Sequence, residues 1–355
     1  MKVIIFTKYT RMGASSRLRS YQYIPFYQGE GVVCKASPLF SDVYLQKLYA
    51  KQNPGGLLVL LCYFKRLVML VSIIGFDVVV VEKELFPYLP AIAEKLLKVL
   101  GVRFIVDYDD AIFHNYDLHP NRHLKKLLKN KIAAVMRSAH VVTAGNSYLQ
   151  NYAVAAGAKQ VALMPTVINL AVYGGKPKKH SGAVIIGWIG SPTTVKYLDG
   201  MLPVLIRLAE KFPISLHIIG GKRGIGFGGE VVIEWSEAAE VGLIQQFDIG
   251  IMPLEDSPWE RGKCGYKLIQ YMGCALPVVA SPVGVNNQLV QQGVNGYKAA
   301  DNSEWAKYLE ELISKPDLRL AMGVAGRRLV DERYSLSKTA KDWLGLLNNT
   351  MAANA

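Results

Sequence analysis

Short β-branched apolar runs alternate with longer stretches of helical periodicity along the whole chain, the pattern of βαβ units wound on parallel sheets. In the first half the runs predict strands over 2–6, 77–81, 103–107, 140–144 and 160–163, with helices near 16–28, 88–100, 124–138 and 147–156. A polar stretch over 169–181, which includes Gly174, Gly175, Lys176, Pro177, Lys178 and Lys179, interrupts the periodicity and reads as a linker. The alternation then restarts, predicting strands over 183–188, 215–219, 230–234, 248–252, 277–280 and 296–298 and helices near 196–211, 238–246, 266–272 and 303–314. Helical stretches over 316–328 and 336–348 close the chain. At 355 residues it is too long for one ordinary core. The economical architecture is two doubly wound, Rossmann-like α/β domains, 1–170 and 171–335, with a helix and tail over 336–355 that packs back on the N-terminal domain. Facing each other, such domains form a cleft between the carboxyl ends of their strands, so the loops that follow strands are where chemistry is expected.

The most apolar region, 55–81, is divided by Lys65, Arg66 and Asp77. Its longest charge-free piece, 67–76, is about half of the ~20 residues that a membrane-spanning helix needs. The expectation is a buried helix over about 57–74 followed by a buried strand over 77–81.

Composition changes this picture little, and charge changes it more. Apolar residues make up 51% and charged residues 19% of the chain, which places it among folded proteins. The formal charge of +13 is uneven: residues 1–170 carry 21 Lys and Arg against 10 Asp and Glu, residues 171–355 carry 20 against 18. A basic first half favours anionic partners, whether nucleic acid, lipid headgroups or a phosphorylated substrate. Cys34, Cys62, Cys264 and Cys274 lack CxxC spacing and the N-terminus runs into a strand pattern, so reduced thiols in the cytoplasm are expected. No metal-ligand spacing is present and no bound metal is expected.

The most informative stretch runs from the strand Asp248-Ile-Gly-Ile-Met through a loop that holds Glu260, Arg261, Gly262, Lys263 and Gly265 into a helix that begins Tyr266-Lys267 and carries Gln270. Backbone N–H groups at that helix start, the macrodipole and two lysines suit a diphosphate, and Gln270 suits a sugar hydroxyl. The segment KLIQYMGCALPVVASPVGVN (267–286) resembles the K-L-x-E-Y-M-A-x-G-x-P-V-V-A-S segment of the family 4 glycosyltransferases, the second half of their Glu-x7-Glu signature. Weaker likeness extends over GWIGSPTTVKYL, HIIGG, FDIGIMPL, AGNSYLQNYA and MPTVINLAVY. The resemblance implies a GT-B fold, a UDP- or GDP-sugar donor, transfer to a cell-surface glycan with retention of configuration, and no cofactor beyond the nucleotide-sugar co-substrate.

The match departs from the signature at both glutamates. The second, which binds the donor's ribose in the family, is Gln270; the first falls on Gly262, with Glu260 the nearest carboxylate. Glu260 therefore stands between a donor role and an ordinary loop charge. By resemblance Gly190 and Lys196 contact donor phosphates, although the usual Arg of that loop is missing and Lys196 can equally be an exposed helix-start lysine. No residue is assigned as a catalytic nucleophile.

In the first half, the loop bearing Gly13, Ser15, Ser16, Arg17 and Arg19 supplies donors for an anionic group and by resemblance lines the interdomain cleft. Asp107, Asp109 and Asp110 crowd one strand end, which suits a hydroxyl-rich acceptor or, equally, pairing with Arg17 or Arg19. The basic helix over 122–137 is expected to turn Leu124, Leu127, Leu128, Ala134 and Val135 inward and to offer Lys125, Lys126 and Lys129 to an anionic membrane or lipid-linked acceptor. The Gly224–Gly229 run precedes a strand, so it reads as a connection and not a nucleotide loop. These features predict a cytoplasmic glycosyltransferase, peripheral at the inner face of the membrane; the alternative is a nucleotide-sugar-binding protein without activity. Nucleic-acid binding fits the charge but finds no motif.

Overall fold

The computed structural model describes residues 1–50, 52–174 and 182–354, so most of the predicted linker, 175–181, lies outside the described residues. The chain forms two compact units. The first comprises Met1–Thr166, Gly262–Cys264 and Ser337–Ala355, the second Val167–Arg261 and Gly265–Leu336.

In the first unit, strands β1 (Lys2–Thr7), β2 (Val33–Pro38), β3 (Val78–Glu82), β4 (Phe104–Tyr108), β5 (Val141–Ala144) and β6 (Val161–Leu163) pair in parallel in the order β2-β1-β3-β4-β5-β6. The central strands β3, β4 and β5 are buried throughout, because the crossover helices of a parallel sheet cover both faces. Strand β2 is absent from the sequence expectation. Its residues VCKASP sit at the sheet edge with Val33 60% exposed, so neither a continuous apolar run nor a clean alternation marks it. Two expected helices are also broken. Residues 16–28 resolve into Ala14–Arg19, a 3-10 turn Tyr21–Tyr23 and Ile24–Gly29, where Pro25 fits a helix's first turn but not its middle. The basic stretch divides into Arg122–Leu128, capped by Asn121, and Lys131–Ser138.

The helix expected at 57–74 forms as Gly56–Val71 with a 3-10 turn over Ser72–Gly75, but it is not a buried helix. Of its 16 residues only Cys62 and Arg66 are buried. Cys62 packs with Leu39 and Phe40. Arg66 reaches beneath the sheet's end, where its Nη2 donates to the carbonyls of Thr7 at 2.6 Å and Ser37 at 2.9 Å and its guanidinium lies 4.9 Å from the Phe6 ring. Burial pulls the Arg66 pKa down to about 10, against the opposing charge of Glu82. Apart from Lys65 and Arg66 the helix is apolar, and only one of its sides is covered.

In the second unit, β7 (Val184–Ile189), β8 (Ile214–Ile219), β9 (Glu230–Ile233), β10 (Ile249–Met252), β11 (Val278–Ala280) and β12 (Gly296–Lys298) form the parallel order β12-β11-β10-β7-β8-β9. Strand periodicity divides the core between two faces: Ile186, Trp188, Leu216 and Ile218 join the helices Leu202–Ala209 and Asn302–Ser314, while Ile189, Ile219 and Met252 join the helix Tyr266–Gly273. Glycines on the central strands make room for rings. A Cβ at Gly187 would lie 2.0 Å from Phe247, and one at Gly250 would lie 2.4 Å from Tyr271.

Helix Pro316–Arg333 approaches the end of Tyr266–Gly273 so closely that a Cβ at Gly323 would stand 2.0 Å from the Ala275 carbonyl oxygen. Gly323→Ala should therefore destabilise the second unit by about 1–3 kcal/mol, because a backbone oxygen cannot rotate away. Thermal unfolding of the variant checks this; a wild-type melting temperature would show that the helix shifts without cost.

Candidate functional site

In a doubly wound sheet the winding reverses between two neighbouring strands, and the loops leaving their carboxyl ends diverge to leave room for a ligand. In the second unit these strands are β7 and β10. The loop after β7 starts at Gly190 and passes into the 3-10 helix Val195–Met201, which carries Lys196. The loop after β10 contains the short helix Pro258–Arg261, with Glu260, and returns through Gly265 to the helix Tyr266–Gly273. A hydrogen bond from the Tyr197 hydroxyl to Glu260 ties the two loops together, and the Ser257 hydroxyl donates to the other Glu260 oxygen. Glu260 is buried, so it is not a solvated loop charge.

Gly265 is held at φ 65°, and a Cβ there would come within 2.3 Å of Leu289, so glycine alone fits this turn into the helix. Lys267, in the first turn, stands with its ammonium 5.4 Å from the Trp188 ring at the end of β7. Lys196 is exposed, its ammonium 5.2 Å from the Tyr197 ring. Gly190, Lys196, Glu260, Gly265, Tyr266 and Lys267 thus lie on the two loops that leave this switch point and on the first turn of the helix that follows.

Gln270 is placed otherwise. It is 2% exposed, and its Nε2 donates at 2.8 Å both to the Tyr173 hydroxyl and to Glu240 Oε1. Tyr173 also donates to Glu240 Oε1 at 2.8 Å, and Trp235 Nε1 donates to Glu240 Oε2 at 2.7 Å. Burial, then the neighbouring Tyr266 and Glu240, push the Tyr173 phenol far up, which keeps it a donor. A carboxylate stands here on the helix Glu240–Ile244, and the amide at 270 complements it. Glu240 lies in no segment of family likeness, and Tyr173 closes the segment MPTVINLAVY without a signal of its own.

Gly262, Lys263 and Cys264 belong to the first unit by their contacts. Asn146 Nδ2 donates to the carbonyls of Gly262 at 2.8 Å and Lys263 at 3.1 Å, and a Cβ on Gly262 would lie 2.3 Å from Ala111.

The first sheet reverses between β1 and β3. Around that point the Ser16 hydroxyl donates to Glu82 Oε2 at 2.7 Å, Ser15 donates to Asp109, and Lys83 pairs with Asp109 at 2.9 Å and Asp110 at 3.3 Å. Lys83 holds φ 66°, an uncommon backbone for a lysine, at the end of β3. Burial raises Asp109 but Lys83 and Arg19 outweigh it, leaving its carboxyl below the usual range; burial and the charge of Asp109 lift Asp110. Lys83 was not expected from sequence, although the run Glu82-Lys83-Glu84 directly after four valines marks a charged strand end. Arg19 and Asp107 are spent on each other: Arg19 Nε and Nη2 donate to the two Asp107 oxygens at 2.9 and 2.5 Å, and both side chains are buried. Arg17 is buried as well, and Gly13 leaves its space to Tyr9, 2.5 Å from where a Cβ would be, so neither is open to an acceptor in the way the sequence suggests.

Lys125, Lys126 and Lys129 are exposed as expected, but Leu127, expected inward, is 67% exposed. The Gly224–Gly229 connection is closed by its own neighbour, Glu230, whose carboxylate accepts from the N–H groups of Ile225, Gly226 and Phe227.

Gln270→Glu restores the family residue, yet it would set a second buried carboxyl against Glu240. Its pKa would rise above the ordinary ~4.3. For a carboxyl raised in the folded state, the cost is absent below the unfolded value, grows as pH climbs from there and is complete above the folded one. The variant should melt close to wild type near pH 4 and fall behind by about 3 kcal/mol at pH 7, the equivalent of a ~2-unit shift. Equal melting temperatures at both pH values would show that the cluster relaxes to accept two acids.

Comparison with known proteins agrees with this geometry. Residues 183–315 match the family described as Glycosyl transferases group 1. Over 164 residues the chain is 29% identical to an uncharacterized glycosyltransferase of Methanocaldococcus jannaschii, a stretch that covers 45% of this chain and 39% of that protein, well under half the length of this curated relative. Sucrose-phosphate synthase from Thermosynechococcus elongatus superposes with a TM-score of 0.76 at 13% identity, covering 99% of this chain and 100% of that one. A glycosyltransferase from Rickettsia africae gives 0.71 at 13% identity over 99% and 98%. Anabaena HepE, solved in complex with UDP-glucose, gives 0.68 at 12% identity over 98% and 100%. The chain therefore has the GT-B fold, and the stretch that matches the Glycosyl transferases group 1 family is the one that holds β7, β10 and the helix Tyr266–Gly273.

Proposed function

We propose that this chain is a glycosyltransferase that moves a sugar from a UDP- or GDP-sugar to a lipid-linked, cell-surface glycan acceptor, working in the cytoplasm at the inner face of the membrane. The observation that carries the reading is the helix start at Tyr266-Lys267, set at the switch point of the second sheet beside Lys196 and Glu260. There Lys267, Lys196 and the helix N-terminus stabilise the negative charge that grows on the departing diphosphate, the electrostatic contribution that often dominates such reactions. The complex of Anabaena HepE with UDP-glucose supports a uridine nucleotide as the first donor to try. Retention of configuration and independence of metal rest on the likeness of residues 267–286 to the family 4 glycosyltransferases. In the first unit, Ser15, Asp109 and Asp110 with Lys83 are the groups offered to acceptor hydroxyls.

Gln270 favours a second reading, a nucleotide-sugar-binding protein without turnover, because the signature carboxylate that would face the donor is replaced by an amide already engaged with Glu240. A panel of nucleotide sugars separates the two. A ligand at 100 times its Kd should add about 2.7 kcal/mol to stability, seen as a higher melting temperature. Transfer should accompany that binding, and Lys267→Ala should lower kcat/KM at least tenfold with the fold intact. Stabilisation without transfer to any acceptor would leave the binding protein, and no response to any nucleotide would overturn both.

A further inference from the structure

The first unit leaves a continuous apolar stripe uncovered. On the stretch Gly56–Gly75 the side chains of Leu57, Leu60, Phe64, Leu67, Val71 and Ile74 recur every three or four residues, which places them along one helix face, and each is at least 56% exposed. Only 17% of the stretch is buried. A second stripe continues it. Right-handed crossovers put the β2→β3 and β3→β4 helices on the same face of the sheet. The latter helix, Ile92–Val99, exposes Ile92, Leu96 and Val99 at i, i+4 and i+7. The Tyr63 hydroxyl donates to the Pro87 carbonyl at 2.6 Å and its ring lies 5.5 Å from Phe86, which joins the first helix to the loop that leads into the second.

Charge decides what covers this face. Between residues 56 and 103 the acids Glu82, Glu84 and Glu94 are buried and Asp77 alone is exposed, whereas Lys65, Lys95, Lys98 and Arg103 are all exposed. A second copy of the chain would bring these cations against their own kind, while an anionic lipid surface complements them. The stretch is long and apolar enough to cross a bilayer by composition. Its inward face is nevertheless committed, with Arg66 bound to the Thr7 and Ser37 carbonyls and Cys62 packed beside Leu39 and Phe40. A spanning helix would have to give up those bonds and carry a guanidinium into hydrocarbon.

We infer that Gly56–Gly75, flanked by Ile92–Val99, is an in-plane membrane anchor whose exposed stripe enters the headgroup boundary of an anionic bilayer while its other face stays on the sheet. This gives the membrane partner of the proposed function a surface, and it differs from the lysines of Arg122–Leu128 in relying on apolar insertion.

The test is flotation of the whole chain with vesicles of phosphatidylcholine containing phosphatidylglycerol, or of phosphatidylcholine alone, with nucleotide binding measured alongside. Wild type should float with the anionic vesicles. Combined Leu60→Gln, Phe64→Gln and Leu67→Gln, all at exposed positions, should weaken that binding at least a hundredfold with melting temperature and nucleotide affinity unchanged. Lys125→Gln, Lys126→Gln and Lys129→Gln together should cost less. With Phe64→Trp and Ile74→Trp, brominated lipids should quench both positions at the same shallow depth. Four results would each overturn the anchor: no vesicle binding by wild type, binding lost only in the lysine variant, quenching at opposite depths as for a span, or a dimer in solution that the apolar variant dissolves. Nucleotide affinity that survives any of these keeps the proposed donor site standing apart from the anchor's failure.

Discussion

An open parallel sheet offers a ligand one kind of place, the point where its winding reverses, and each unit of this chain is organised by that constraint. Parallel strands need crossover connections, the crossovers cover both faces, and so the carboxyl ends at the reversal remain the free surface. In the second unit this is where β7 and β10 release the loops that Tyr197 and Glu260 tie together. Gly187 and Gly250 serve the same place indirectly. By letting Phe247 and Tyr271 lie against the central strands, they hold the helix Tyr266–Gly273 where its first turn meets the end of β7.

The cluster around Gln270 shows how a signature residue can change without emptying its surroundings of charge. Two carboxylates buried within hydrogen-bond distance must share a proton, so a pocket that already contains Glu240 favours an amide beside it. Gln270 satisfies Glu240 with one N–H donor group that also reaches Tyr173, and Trp235 completes the set. Position 270 is tied to position 240 by this geometry, which a linear motif spanning 267–286 does not contain.

Much of the fold is legible in the sequence because buried parallel strands are written as uninterrupted β-branched runs, and Val78 to Val81 is the clearest case. Strand β2 is illegible for the converse reason: an edge strand has one neighbour and needs no such run. The turn at Gly265 was readable, since a left-handed turn into a helix start needs glycine. Lys83 with Asp109 and Asp110 was only half readable, because the carboxylates at the end of β4 are visible in the chain but the cation that joins Asp109 and Asp110 follows a different strand, β3. Pairing of Asp107 with Arg19, one of two readings open in the sequence, is decided by register: β4 ends beside β5, where Thr143 donates to Asp107 Oδ1 at 2.6 Å, and Arg19 closes the other side.

The helix Gly56–Val71 misled sequence reading in an instructive way, because hydrophobicity reports what a surface avoids and not what covers it. A uniformly apolar helix has no preferred rotation about its axis, so packing alone would leave its outward face undefined. Here Arg66 supplies the definition. Its two bonds, to the last residue of β1 and the penultimate residue of β2, fix one side of the helix against the sheet, and the side a half-turn away is thereby fixed outward. Holding the guanidinium there costs desolvation and leaves Nε unpartnered, a cost that an apolar side chain would not carry. The polar residue inside the helix and the apolar residues outside it are consequences of one arrangement, in which the sheet holds the guanidinium and the apolar stripe is turned outward.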